Sequence, residues 1–388
     1  MKWLAAALIA AVTLAALAGA LWYWQWTRPW QAWRDYSRVF IQADGRVVDR
    51  TAADRSTSEG QAYSLFFALV ADDRAAFERI LRWTGDNLCA GKPGEQLPAW
   101  LWGRRDDGSW GVKDENPAAD ADLWIVYSLL EADRLWGRPD WRRLAARMLA
   151  LIKARELAEI PGVGTMLLPA PQGFQLEDGS WRLNPSYLPE FQLRYLSAVD
   201  AGGPWAAVWG NHLRQMQALL RRGLAPDWYQ ISPAGAPVRD TVSGGRGSYD
   251  AIRVYLWAGL TEAGSTGGGK GNALLSLLRP YAALLAVHGL PPENLDFESG
   301  ETSGGAPLGF SAAVLPFLAR VDEDTAAIQR RRLKISRQQG ETGNLGSPPH
   351  YYDQVLALFG EGWSDKRYQF DSEGRVIPRW SKTCCDWL

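Results

Sequence analysis

Beyond Trp30 the chain repeats one pairing: a helical segment apolar on nearly every side, followed by one that is apolar along a single stripe. Leu123 to Leu130 (Leu-Trp-Ile-Val-Tyr-Ser-Leu-Leu) offers water no polar face, whereas the next segment sets Trp141, Ala145, Met148, Leu149 and Ile152 opposite Arg142, Arg143, Arg147 and Lys153. A helix apolar all round has to be enclosed by protein, and a striped one has to lie on a core with its far side in solvent. The pair therefore reads as an inner helix and its outer cover. The same order recurs with Ala251 to Gly259 before Ala273 to Leu285, and with Phe310 to Leu318 before Thr325 to Ile335. Counting from Trp30, the pattern predicts about twelve helices, or six hairpins. Closed into a ring these make an all-α (α/α)6 barrel; left open they make a helical solenoid. Two turn-rich stretches, Trp110 to Asp114 and Met166 to Leu183, read as β-hairpins on the rim.

The 388 residues, 47% of them hydrophobic, are enough for one large core, and no shift in composition divides 27–388 into two domains. Ahead of that stretch, Lys2 precedes an apolar run from Trp3 to Trp24 with Ala16-Leu17-Ala18 in the small-x-small pattern of a cleavage site. Its length also suits a bilayer, and Trp22, Tyr23, Trp24 and Trp26 resemble an interfacial belt. Residues 1–26 are thus expected to be a signal peptide or an N-terminal membrane anchor, and the protein to be periplasmic or secreted. A net charge of -1 without a long basic run gives no footprint for nucleic acid. The 21 Trp and 13 Tyr exceed the ordinary needs of a core, and flat rings suit the apolar faces of sugars, although Trp in helix pairs mostly serves packing. Cys89, Cys384 and Cys385 make no disulfide framework; His212, His288 and His350 lie far apart, so no metal or cofactor is expected.

Three carboxylates open three of the inner segments. Glu59 stands in Ser58-Glu59-Gly60-Gln61, followed by Tyr63, Phe66, Phe67 and Val70 at helical spacing. An acid against an apolar wall keeps its proton toward neutrality and can deliver it to a leaving group. The competing reading is a Ser58–Gln61 capping box, with Glu59 favoured only by the helix dipole, which would lower its pKa. Asp120, in Ala118-Ala119-Asp120-Ala121-Asp122, either caps its helix or faces a cavity, since side chains at i and i+2 diverge. Asp250, in Ser248-Tyr249-Asp250-Ala251-Ile252-Arg253, has Arg253 one turn on and reads equally as an ionised base or as an N-cap with a salt bridge. In a ring of hairpins all three would sit at one end. One protonated and one ionised carboxyl form the pair that glycosidic hydrolysis needs.

The segments Thr57 to Gln61 and Ala118 to Trp136 resemble the acid motif and the signature of glycoside hydrolase family 8. The likeness extends through Leu97 to Gly103, Asn184 to Pro189, Ser248 to Tyr255 and Gly309 to Ala313, most closely to the periplasmic branch that accompanies bacterial cellulose synthase. The resemblance implies an (α/α)6 barrel and an inverting endo-1,4-β-glucanase acting on cellulose, with the synthase and export complex as a partner. It matches Glu59 to the general acid, Asp250 to the general base and Asp120 to the signature Asp that contacts the distorted sugar. Where the signature usually has Ser or Thr this chain has Ala119, which implies altered hydrogen bonding near the site rather than loss of activity. Trp102, Trp110, Tyr187 and Phe191 are candidate sugar platforms, each equally readable as core packing, and Tyr249 and Arg253 are candidates to orient Asp250 and a sugar hydroxyl.

Other classes fare worse. Gly264 to Lys270 fills seven positions of a P-loop, but Gly271 stands where magnesium needs a hydroxyl and the loop follows a helix. A nucleophilic hydrolase lacks its G-x-S-x-G elbow. A non-catalytic glucan-binding component of an export complex, and a toroidal polysaccharide lyase using a Tyr or His base, share the expected fold and differ in chemistry.

Overall fold

The computed structural model describes residues 28–262, 272–340 and 343–382, with Thr13 and Gly19. Apart from those two residues, the expected leader at 1–26 lies outside the described residues, as do Gly264 to Gly271, Cys384 and Cys385. Among the described residues no helix is long and apolar enough to cross a membrane.

Among the described residues from Arg28 on, fourteen α-helices follow in order: α1 (Gln31–Phe40), α2 (Ser58–Val70), α3 (Arg74–Asn87), α4 (Ala119–Trp136), α5 (Pro139–Arg155), α6 (Glu190–Val199), α7 (Trp205–Leu219) and α8 (Ala251–Leu260), then α9 (Ala273–Leu277), α10 (Arg279–His288), α11 (Leu308–Ala313), α12 (Leu315–Val321), α13 (Glu323–Gln339) and α14 (Tyr351–Ser364). They occupy twelve positions, because α9–α10 and α11–α12 are each one helix interrupted beside Pro280 or Pro316, where the ring removes a backbone donor. The alternation read from the sequence holds. All of α8 is buried, and all of α2 except Glu59. The outer helix α3 buries only Ala76, Phe77, Ile80, Trp83, Thr84 and Gly85, a single stripe.

Aromatic contacts join five of the six inner helices and bring the first against the last. Phe66 of α2 lies 5.0 Å from Trp124 of α4, Trp124 5.8 Å from Phe191 of α6, and Phe191 6.2 Å from Trp257 of α8. Trp257 meets Phe359 of α14 at 5.1 Å, and Phe359 returns to Phe67 of α2 at 4.6 Å. First and last inner helices touch, so the fold is a closed (α/α)6 barrel and not an open solenoid. Two glycines permit the tightest crossings: a Cβ on Gly259 would strike the backbone of Phe317, and one on Gly360 the carbonyl of Ala312.

Short antiparallel strands decorate the ends. β1 (Ser56–Thr57), β2 (Ala99–Arg104) and β3 (Trp110–Pro117) form one sheet, and β4 (Leu157–Ile160) pairs with β5 (Gly164–Leu167). β6 (Trp181–Leu183), β7 (Tyr229–Ile231) and β8 (Pro237–Arg239) form another, and β9 (Arg246–Gly247), β10 (Asn294–Asp296) and β11 (Thr302–Ser303) a fourth. The two expected hairpins need correcting. Trp110 to Asp114 pairs back onto β2, a longer partner upstream. Met166 to Leu183 is split between two sheets, and only a Gln175–Trp181 bridge closes within it, because the strongest partner of β6 is β7, nearly fifty residues on.

Candidate active site

β1 delivers the chain straight into α2, with Ser56 opposite Trp102 and Thr57 opposite Leu101. Thr57 is the N-cap, its side chain accepting from the Gly60 amide at 3.2 Å. No Ser58–Gln61 capping box forms. Gln61 instead turns inward, where its Oε1 accepts from the Val47 amide at 2.6 Å and its Nε2 donates to Thr84 at 3.1 Å. Glu59, freed from capping, holds its carboxyl at the opening of the barrel, where the Trp100 indole N–H donates to Oε1 at 3.1 Å. Burial is the main influence on it and nearby Asp120 the next, together pushing its pKa up to about 7 against the backbone, Arg253 and Trp100.

Arg253 joins the other groups. From α8 its guanidinium donates to Asp250 Oδ1 at 2.7 Å, to Ser186 Oγ at 2.8 Å and to the Tyr63 hydroxyl at 2.9 Å, and it lies 3.5 Å from Asp120 Oδ2. Asp120 also accepts from the Ala121 amide at 2.9 Å and the Tyr63 hydroxyl at 3.3 Å. Asp120 does not cap its helix, whose N-cap Ala118 has no side-chain cap bond; it sits just inside the helix start, behind the cleft residues Arg253 and Tyr63. Burial raises its pKa, and Arg253 opposes the rise.

Asp250 is at the N-cap position of α8 but makes no cap bond. Asp227 does that work from outside: its Oδ1 accepts from the amides of Ser248, Asp250 and Ala251 at 2.7, 3.1 and 2.9 Å. Of the reading of Asp250 as an N-cap with a salt bridge, the salt bridge to Arg253 forms and the cap bond does not, so the helix start makes no use of its carboxyl. Burial lifts its pKa to about 6, with Arg253 pulling the other way.

These groups line a cleft of about 700 Å³ that includes Glu59, Tyr63, Trp100, Tyr249, Asp250, Arg253, Tyr351 and Tyr352. Tyr249 is 45% exposed, and its hydroxyl donates to Glu293 at 2.9 Å rather than to Asp250. Tyr187 is beside the centre: the Arg253 guanidinium is 5.8 Å from its ring, and burial followed by the charges of Asp120, Glu59 and Asp250 drives its phenol well above 10.

The other three expected platforms lie elsewhere. Phe191 is in the barrel core, stacked on Phe370 at 3.9 Å, because the inner helix turns it toward the axis. Trp102 packs on Trp83 of α3 at 5.4 Å and stacks with Trp110 at 5.3 Å, with Arg46 over both rings. Neither indole lines the cleft. Register shifts between Ala99, Leu101 and Trp102 break the plain alternation that would give Trp100 and Trp102 one face. Sequence reasoning favours Trp102, and the contact with Glu59 belongs to Trp100. Tyr63 is one turn beyond Glu59, a spacing that could have flagged it. Asp227 carries no local signal, since it acts 23 residues away in the chain. Ala119 is wholly buried, its amide bonded to the Pro169 carbonyl at 3.0 Å.

A protonated carboxyl and a carboxylate beside a guanidinium, facing one open cleft, suit acid–base cleavage of a glycosidic bond. Residues 1–366 match the profile of the glycosyl hydrolases family 8. The chain belongs to glycosyl hydrolase family 8. It is a glycoside hydrolase, 44% identical over 92% of its length to an endoglucanase of Xanthomonas axonopodis pv. citri, of which 91% is covered. An endoglucanase of Escherichia coli K12 is 38% identical over 92% of this chain and 93% of its own. Among solved structures, an endo-1,4-D-glucanase from Vibrio fischeri ES114 superposes with a TM-score of 0.84 at 36% identity, covering 91% of this chain and all of the other. The family 8 fold thus accounts for the barrel.

Proposed function

We propose that this family 8 hydrolase is an inverting endo-1,4-β-glucanase, with Glu59 as general acid and Asp250 as general base. The observation that carries the reading is the split environment: Arg253 holds the Asp250 carboxyl in an ion pair at 2.7 Å, while Glu59 has a neutral indole donor at 3.1 Å and burial raises its pKa to about 7. An opposing guanidinium favours the ionised base, and burial favours the protonated acid. Glu59 gives its proton to the departing glycosidic oxygen as Asp250 takes one from a water, whose oxygen attacks the anomeric carbon from the opposite face. The configuration inverts in one displacement, with the carboxyls about 6.5–9.5 Å apart to admit the water. Asp120, held by Tyr63 and Arg253, contacts the sugar at the cleavage point, and Trp100 and Tyr187 supply flat surfaces beside it. The endoglucanase relatives support a β-1,4-glucan substrate. The apolar run of residues 1–26 supports export of a single catalytic domain at 27–388 to the periplasm, in the service of cellulose synthesis.

The test is viscosity and reducing-end release on carboxymethylcellulose, with product anomers followed by proton NMR. Wild type is expected to drop viscosity quickly and release the α-anomer, and Glu59→Gln or Asp250→Asn to lose at least about 10³-fold in kcat. Glucan binding without cleavage by the wild type would leave a non-catalytic export component as the function.

A further inference from the structure

Asn184 is buried at the start of the short turn Pro185–Tyr187, and its side chain is oriented without ambiguity. Its Oδ1 accepts from the Ser186 amide at 2.9 Å and from the Ser186 hydroxyl at 2.7 Å. Two donors at one end identify that end as the oxygen, so the NH₂ points the other way. There Nδ2 is buried without a well-formed hydrogen bond, which costs free energy in the resting structure. The group it faces is the Asp250 carboxyl, whose charged form it favours.

The same serine hydroxyl that locks Asn184 accepts from Arg253, and Arg253 holds Asp250 Oδ1. Asn184, Ser186, Arg253 and Asp250 therefore form a circuit with one open link, between Nδ2 and the carboxyl. Contacts to catalytic groups are often long in the empty enzyme and tighten when substrate binds. We propose that Asn184 is a positioning residue for the base: its Nδ2 donates to Asp250 opposite Arg253 and fixes which lone pair meets the attacking water. This rests on Asp250 being the base. Tyr187, Tyr352, Asp227 and Asp120 also face Asp250, and none of them brings a second fixed donor to its side chain, the Tyr352 hydroxyl donating to the Tyr249 carbonyl at 2.8 Å.

The experiment is the pH profile of kcat on cellopentaose, which reports the base in the enzyme–substrate complex, for Asn184→Ala and Asn184→Asp, with Asp250→Asn as reference. Losing a donor to the ionised form raises the pKa of the base, so the acidic limb moves to higher pH. Asn184→Ala is expected to move that limb up by more than half a unit and lower kcat roughly tenfold, with KM changed less than twofold. Asn184→Asp keeps the acceptor for Ser186 and the volume, so it folds, and it must move the limb further by placing a second carboxylate beside the first. An unmoved acidic limb in both variants, with Asp250→Asn inactive, overturns the role of Asn184 alone. Full activity in Asp250→Asn overturns the base assignment, and this inference with it.

Discussion

Two neighbouring sets of acids behave differently: the active cluster that includes Asp120, and an outward pair that begins two residues on at Asp122. Asp120 and Asp122 are both in the first turn of α4, and burial raises the pKa of each. Asp120 turns toward the cleft, where Arg253 and Tyr63 meet it. Asp122 turns outward between the helix layers, toward Glu156 at the end of α5. Both of these carboxyls are fully buried, and neither meets any other hydrogen-bonding group. Desolvation raises both members, and Glu156 is pushed up to about 8, so the pair keeps a proton through the neutral range. Burial by itself therefore marks neither function nor its absence. The active cluster is distinguished by a guanidinium that keeps part of it charged and by an opening through which a sugar can enter.

The sharpest way to break that contrast is to remove the guanidinium. Arg253→Met preserves much of the volume and leaves Asp120 and Asp250 facing each other without an opposing charge. Breaking a buried ion pair from one side costs about 3–5 kcal/mol, so the melting temperature should fall clearly. Asp250 would then hold its proton to higher pH, and kcat/KM should fall by at least about 10²-fold at pH 6.5. Chemical denaturation together with kinetics across pH 5–8 checks both. Near-normal activity would mean that the guanidinium does not set the charge of the base.

Much of this architecture was legible from the chain because its signals are local. An all-round apolar helix such as α8 has one possible environment, and repeating that beside striped helices such as α3 and α13 dictates inner and outer layers. The three helix starts bearing Glu59, Asp120 and Asp250 were readable for the same reason. What was not readable depended on partners far away in sequence. Asp227 takes the capping duty from Asp250 across a loop, a shift in β-register hands the Glu59 contact to Trp100 rather than Trp102, and the curvature of the barrel sends Phe191 into the core. Ring closure was decided by Phe359 meeting Phe67, nearly three hundred residues apart.

The pH dependence of activity sharpens the comparison at intermediate size. Activity needs Asp250 ionised and Glu59 protonated, so it should rise through about 6 and fall above about 7, giving a narrow optimum between them. Trp100→Phe removes only the indole donor that favours the charged form of Glu59. The pKa of the acid should rise, moving the alkaline limb up by several tenths of a unit with the acidic limb in place and kcat reduced no more than about fivefold. A shift of both limbs would mean that the ring acts through general packing instead.

The smallest effect belongs to the outward pair and is expected in stability rather than catalysis. Glu156 is near 4.5 in an unfolded chain and raised to about 8 in the folded one, so the folded protein binds more protons between those values. The sign follows: this stability is fully present below about 4.5 and is lost as pH climbs toward 8. Replacing both acids with their amides, Asp122→Asn with Glu156→Gln, removes the titration while keeping shape and a hydrogen bond. Melting temperatures at pH 5 and pH 8 should then differ by a few degrees less than in the wild type, with kcat/KM at pH 6.5 within about twofold. If the double amide instead lost activity as Asp250→Asn is expected to, the outward acids would belong to the catalytic machinery, and the guanidinium and the opening would no longer be what separates the active cluster from the outward pair.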